Sequence, residues 1–418
     1  MQLLKNTGFL FAARVINALC IMGIVLIISR KLGPDIFGGY AFLSAVIMTG
    51  VVVASFGLDT LMVREISRDT SQGNQFLSTV VGFKIISSFV VIVFVIGLFG
   101  LFLHNHKMVR LLCIFSIVIC LNSLSQTFWY YGDAFQKFQF HAGLWAFSNM
   151  AKVGMVWLFI SFRQDLDTVV YALVLAEVIS LAGAILLVRS RFRLVLGGFS
   201  LRSMTATFKK AWPIAIVFIL SAVYCRVDLM MLEVLADEKA VGMYSAAYKL
   251  LEFLSIIPTT VAVAALPGLA GDYSTNMREF KNSFYKTLTV LGVGGGTVGL
   301  ILYLFSRQII LLMYGPAFSP SVLSLSILSG AVFFLFVNGY LIYVNIATNN
   351  DRPVALILVI STILNIMLNS YLIPRYGHAG AAISKLLSEI SMSIFLVFVV
   401  FIKKDVFLRQ DVSGVQLT

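Results

Sequence analysis

Charge is what this chain has least of. Asp, Glu, Lys and Arg make up 12% of its 418 residues, against 59% hydrophobic residues. A soluble domain carries about 25% charged residues, so this supply is too sparse for a water-facing surface, and the chain reads as a membrane protein. Acidic residues are the scarcer sign, 19 against 31 Lys and Arg, which leaves a formal net charge of +12. That excess could suggest nucleic acid. The basic residues are scattered over connectors and helix flanks, however, with no single exposed patch, which disfavours such a partner. Retention of Lys and Arg on the cytoplasmic side of a membrane accounts for the excess. Cysteine is equally sparse. Cys20, Cys113, Cys120 and Cys225 all fall in apolar runs without CxxC spacing, so neither a disulfide framework nor a metal site is expected, and they read as small packing residues. Long polar connectors are missing as well, which leaves no room for a sizeable extramembrane domain and disfavours loop-borne catalysis. HExxH and GxSxG constellations are absent, and the chain is expected not to be an enzyme.

Apolar runs dominate what is there. Taking runs of roughly 18 to 28 residues as spans gives about twelve: Asn6–Ser29, Tyr40–Val63, Phe76–Leu103, Met108–Tyr131, Phe140–Phe162, Thr168–Val188, Phe208–Val234, Val241–Ala270, Phe284–Phe305, Val322–Thr348, Pro353–Ile373 and His378–Ile402. The apolar run after MQLLKN is too long for a cleaved signal, so the first helix is expected to be retained. The connector after the sixth span carries Arg189, Arg191, Arg193, Arg202, Lys209 and Lys210 without an acidic residue. It is therefore expected to be cytoplasmic, and an even span count puts both termini on that side.

The same connector divides the chain almost in half, which predicts two six-helix lobes, residues 1–200 and 201–418, around a central cavity. A faint repeat agrees with the division. KLGPDIFGGY after the first span and VLADEKAVGMY after the seventh place Gly38 and Tyr40 in correspondence with Gly242 and Tyr244. Pro258 and Pro267 predict a kink in the eighth span. The run GVGGGTVG, Gly292 to Gly299, lacks the Gly-Lys-Ser/Thr ending of a phosphate loop and predicts close helix packing.

Ionisable groups inside spans carry the functional argument, because each is costly in hydrocarbon. The cations are Arg14, Lys84, Lys152, Arg226, Lys249 and Lys385; the anions are Asp59, Glu177, Asp228, Glu252 and Glu389. Lys84 is expected to snorkel towards the cytoplasmic face, and Asp59 lies close to a helix end. Lys385 and Glu389 are four apart and Lys249 and Glu252 three apart, so each pair can neutralise itself. Arg226 and Asp228, two apart, point to nearly opposite faces. Arg14 and Lys152 have no acidic neighbour at helical spacing. Arg14, Arg226, Lys249 and Lys152 are thus the candidate contacts for an anionic passenger, and phosphate suits the planar fork of Arg in particular. Glu177, Asp228 and Glu252 are candidates for coupling to a proton or sodium ion, or for permanent counter-charge. Trp129, Tyr130, Tyr131, Tyr340 and Tyr343 suit sugar contact or interfacial anchoring. No cofactor or metal is implied.

Three segments, KLGPDIFGGYAFLSAV, FGLDTLMVREISRD and LIPRYGHAGAAISKLLSE, resemble the polysaccharide transporter family of bacterial flippases, O-antigen flippases especially. The resemblance implies an all-α integral membrane fold of two six-helix lobes. It also implies movement of an undecaprenyl-diphosphate-linked oligosaccharide from the cytoplasmic to the periplasmic leaflet of the inner membrane by alternating access. The first-helix cation matching the family's cationic cavity is Arg14, with Arg226 as its second-lobe counterpart. Implied partners are the lipid-linked oligosaccharide, membrane lipids, and a polysaccharide polymerase with its chain-length regulator, the chain itself being monomeric. Competing readings are a multidrug and toxin extrusion antiporter, whose cationic drugs call for unpaired carboxylates where this chain has Arg14, and a membrane polysaccharide polymerase, for which no outer connector is long enough.

Overall fold

The computed structural model describes the backbone of residues 2–103, 105–192, 201–348 and 351–402, with side chains from residue 15 onward except at 72, 192, 201–203, 206, 213–214, 274, 351 and 401–402. Among these residues every regular element is helical, as hydrocarbon requires of a chain that must satisfy its own backbone groups. The helices are α1 (Gln2–Ser55), α2 (Leu58–Arg68), α3 (Gly73–Phe102), α4 (His106–Phe115), α5 (Ile117–Ala134), α6 (Phe138–Phe162) and α7 (Leu166–Phe192), followed by α8 (Leu201–Leu235), α9 (Glu238–Leu254), α10 (Ile256–Thr275), α11 (Met277–Leu304), α12 (Ser306–Tyr314), α13 (Ser321–Ala347) and α14 (Asp351–Ile402). Among the described residues, ten stretches are long and apolar enough to cross a membrane. Two of them, Val15–Arg68 with 54 residues and Arg352–Val400 with 49, would each run about 75–80 Å if straight, more than twice the hydrocarbon thickness. Each is bent and long enough to cross twice, which would bring the count to the twelve spans expected.

The bends lie at glycines. Gly33 (φ 78°, ψ −179°) breaks α1, and Gly377 (φ 54°, ψ −130°) breaks α14. Gly33 precedes Pro34, whose ring bars its neighbour from the helical region. The same device recurs where α12 ends, at Gly315 (φ 93°, ψ 177°) before Pro316. This backbone region is open essentially to glycine alone. Helix starts are fixed by short polar side chains: Asn105, Asp165, Asp237 and Asn276 accept hydrogen bonds from the backbone N–H groups of Lys107, Thr168, Ala240 and Glu279. Burial would raise the pKa of Asp165, but the hydrogen bonds from Thr168 and the nearby Arg163 and Lys107 outweigh it and hold the carboxyl below its ordinary value.

The chain forms two compact units, Met1–Val234 and Leu235–Thr418. The first thus takes in α8, which begins where the second lobe was expected to. In the first unit α5 packs against α1, α2, α3, α6 and α7; in the second, α13 packs against α9, α10, α11, α12 and α14. Leu58, Leu61, Met62, Leu77 and Phe128 form a buried apolar cluster in the first unit. Phe56 (φ 48°), between α1 and α2, is held in a backbone region that disfavours a bulky side chain. Its ring stacks on Phe208 at 4.9 Å and lies 5.7 Å from Trp212, contacts that offset a strain of about 1–3 kcal/mol.

The eighth span breaks at Ser255, where Pro258 withholds the amide that would bond to Leu254. The fourth breaks at Ser116, without a proline; there the hydroxyl donates to the Cys113 carbonyl at 2.7 Å and competes with the helix ladder. Cys113 and Cys225 are exposed instead of packed inside. The glycine run of α11 does pack closely on α13: a Cβ at Gly299 would stand 2.7 Å from the Ser329 carbonyl oxygen, and one at Gly295 2.9 Å from Phe336 Cβ.

Gly299→Ala is expected to lower thermal stability in detergent by about 1–3 kcal/mol through overpacking. Gly294→Ala, whose Cβ meets nothing within 4 Å, is expected to raise it by up to ~1 kcal/mol through helix propensity. Equal shifts for the two would show that α11 does not approach α13 as described.

Candidate functional site

Charged side chains at span depth are neutralised between helices as well as along them. In the first unit Lys84, with no exposed surface, donates to both oxygens of Asp59 at 2.8 Å and to the Ser123 carbonyl at 2.8 Å. Three helices supply this arrangement: α2 places Asp59 in its first turn, α3 carries Lys84, and α5 turns the Ser123 carbonyl inward. Lys84 therefore does not snorkel as expected. Asp59 lies just past the Phe56–Gly57 break, in the first turn of α2 and within reach of the Lys84 ammonium, so pairing replaces escape to water.

Lys152 on α6 meets Glu177 on α7 at 2.6 Å. Asn122 on α5 donates to the same carboxylate oxygen at 2.9 Å, and Gln126, one turn on, donates to Asn122 at 2.8 Å. The partner Lys152 lacks on its own helix comes from the next. Further along the α5–α6 hairpin, Asp133 and His141 pair at 2.6 Å with both side chains buried.

In the second unit Lys249 and Glu252 pair at 2.6 Å on one turn of α9. Lys385 and Glu389 pair at 3.3 Å on α14, both buried, and Asn338 of α13 donates to the Glu389 carboxylate at 2.8 Å. The α14 bend folds its two halves together, so that Asn365 donates to the Ser388 hydroxyl at 3.1 Å and Asn369 to Asn365 at 3.0 Å.

The candidate residues thus fall into distinct settings. Lys152 and Glu177 are brought together, as are Lys249 and Glu252. Asp228 is buried and Arg226 half-buried on α8, in keeping with their opposite faces. The Arg14 side chain lies outside the described residues. Trp129, Tyr131 and Tyr340 are core residues with less than a twentieth of their surface exposed, whereas Tyr130 and Tyr343 are partly exposed. Among the described residues no group of three or more His, Cys, Asp or Glu side chains comes together. Lys152 keeps 16% of its side chain exposed over a carboxylate that keeps 2%, and Lys249 keeps 22%. These two cations keep exposed surface, while Lys84 and Lys385, at 0% and 2%, are sealed. Sequence reasoning missed the Lys84–Asp59 pair and the buried amides. The available signal was an excess of Asn within apolar runs, at 365 and 369 on one helix face, where each amide needs a partner.

Comparison with known proteins places these features in a lineage. The family model described as "Polysaccharide biosynthesis protein" matches residues 3–270, and one described as "MatE" matches residues 213–371. The "Capsular polysaccharide biosynthesis protein CapF" of Staphylococcus aureus is 23% identical over 93% of this chain and 96% of that protein. The protein named "Putative O-antigen transporter" of Escherichia coli K12 is 21% identical over 88% of this chain and 90% of its own. Among solved structures, a lipid II flippase MurJ in an inward closed conformation superposes with a TM-score of 0.76 at 17% identity, covering 95% of this chain and 87% of that one. The fold is that of an all-α membrane transporter.

Removing one member of a sealed pair leaves an uncompensated buried charge. Lys84→Met is therefore expected to destabilise the protein by about 3–5 kcal/mol, and the double variant Lys84→Met with Asp59→Asn to recover most of that loss. Melting in detergent measures both; no recovery in the double variant would mean that the two residues do not act as a pair.

Proposed function

This chain belongs to the polysaccharide biosynthesis protein family, and on that premise we propose that it is a flippase for a lipid-linked glycan. The finer proposal is that it carries an undecaprenyl-diphosphate-linked oligosaccharide of O-antigen type from the cytoplasmic to the periplasmic leaflet of the inner membrane, with both termini inside. The observation that carries the reading is similarity over nearly the whole chain to proteins named for capsular polysaccharide biosynthesis and O-antigen transport. The multi-pass helical fold, close to that of a lipid II flippase, supports it.

In this mechanism two lobes, residues 1–200 and 201–418, alternately open a path to either face of the membrane. Arg14, Arg226, Lys152 and Lys249 receive the diphosphate. Glu177 and Glu252 hold Lys152 and Lys249 in place between passengers, and an arriving diphosphate competes with them for the ammonium groups. Glu177, Asp228 and Glu252 are the groups through which a proton or sodium ion could enter the cycle. The protein's part is transport without bond chemistry, and it acts as a monomer beside a polymerase and its chain-length regulator. A second reading, extrusion of cationic drugs, is favoured by the match of residues 213–371 to the MatE model.

Lys152→Ala and Arg226→Ala are each expected to lower flipping of a lipid-diphosphate glycan in proteoliposomes by about tenfold or more at normal abundance, the loss of a charge-assisted hydrogen bond worth ~1.5–3 kcal/mol. The Lys↔Arg exchanges should retain part of the activity. Full transport by both Ala variants would remove these cations from the substrate path, and raised resistance to cationic drugs on expression would favour extrusion.

A further inference from the structure

In the segment FGLDTLMVREISRD, Phe56 and Gly57 make a turn and Asp59 holds Lys84, but neither role involves the second half. There Glu65 of α2 is shared among three cations: Arg64 at 3.4 Å, Arg68 at 3.9 Å and, from α8, Lys210 at 3.5 Å. None of these contacts reaches the roughly 2.7–2.9 Å of a charge-assisted hydrogen bond, whereas Lys152 and Lys249 meet their carboxylates at 2.6 Å. One negative charge among three positive ones leaves two uncancelled. The cations that carry them are 49%, 71% and 57% exposed, against 22% for the carboxylate. The two guanidinium groups thus keep most of their five N–H donors for something outside the protein.

Depth narrows what that is. Arg64 and Arg68 follow Val63, where the second apolar run ends, and Lys210 stands two residues past Phe208, where the seventh begins. The cluster therefore lies where hydrocarbon gives way to water, the level of phospholipid phosphates. Trp212, half exposed on α8, suits the same level. We propose that Arg64, Arg68 and Lys210 form a binding site for the phosphate of an anionic phospholipid, seated between α2 and α8 beside Glu65. Two guanidinium groups one helical turn apart can each offer a phosphate two parallel bonds. The two uncancelled charges select a lipid without an ammonium group of its own. Glu65 competes for the same donors and so limits how tightly the lipid is held. None of the three cations is among those assigned to the diphosphate, so the site stands whether or not the chain is a flippase. With both termini inside, it opens to the cytoplasmic leaflet, where anionic lipids are supplied.

Native mass spectrometry of the full chain in detergent, with phosphatidylglycerol or phosphatidylcholine added, counts the lipids retained. The wild-type chain is expected to retain phosphatidylglycerol in preference. Arg64→Gln combined with Arg68→Gln is expected to weaken that retention about fivefold for each guanidinium removed. Arg189→Gln combined with Arg191→Gln takes the same charge from the exposed end of α7 and is expected to leave it as in the wild type. Glu65→Gln, which removes the competing charge, is expected to tighten retention. A purely structural clasp between α2 and α8 would respond differently to Glu65→Gln, with a lower melting temperature and no gain in lipid, and that result overturns the proposal. Equal loss in the two Arg double variants, the mark of diffuse attraction to a basic surface, overturns it as well. So does an absence of loss on removing Arg64 and Arg68, or binding of glycerol phosphate as tight as that of phosphatidylglycerol, the mark of a soluble anion. Should the Arg64 and Arg68 double variant not accumulate, the gain or its absence in Glu65→Gln decides.

Discussion

An ionised group inside hydrocarbon has no water to turn to, so it must find its counter-charge in the protein or in what the protein carries. The described interior follows from that constraint. Lys84 draws Asp59 and a carbonyl of α5 to itself, Lys152 draws Glu177 with Asn122 and Gln126 behind it, and Lys385 draws Glu389 with Asn338. Each arrangement ties together helices that have little else to set their rotation, since apolar faces against one another or against lipid differ little in energy.

The pairs differ in how completely they are closed. Lys84 and Lys385 have almost no exposed surface, and their energetics are those of structure, because opening either would strand a charge. Lys152 keeps part of its ammonium-bearing chain open over the buried carboxylate of Glu177, while Lys249 and Glu252 are both partly exposed. The proposed passing of an anionic group over these cations would draw on that difference, for a cation that carries a passenger must be held when empty yet remain within reach. A transporter with only sealed pairs would be stable and inert, whereas one with only open cations would be hard to insert.

Backbone shape depends on a few residues of special conformation. Gly33 and Gly315, each before a proline, and Gly377 let a continuous apolar chain reverse within a few residues, and the reversal at Gly377 brings Asn365 opposite Ser388. Glycine serves differently on α11, where Gly299 admits the Ser329 carbonyl and Gly295 the Phe336 side chain. The same residue type thus makes turns and close contacts, and spacing in the chain cannot tell these apart.

Composition and the length of apolar runs were enough to establish an all-helical membrane chain of about twelve spans, because the hydrophobic thickness of a bilayer sets the length of every crossing whatever packs beside it. Pairs along one helix, Lys249 with Glu252 and Lys385 with Glu389, were legible for the same reason: 3.6 residues per turn is a local property. Contacts between helices were not. Lys84 appeared free to reach the membrane surface, Lys152 appeared to lack a partner, and nothing marked the break at Ser116. Which faces meet, which cation is sealed and which stays within reach depend on the rotation and depth of neighbouring helices. Those follow from the summed packing of residues far apart in the chain, and the folded arrangement alone expresses them.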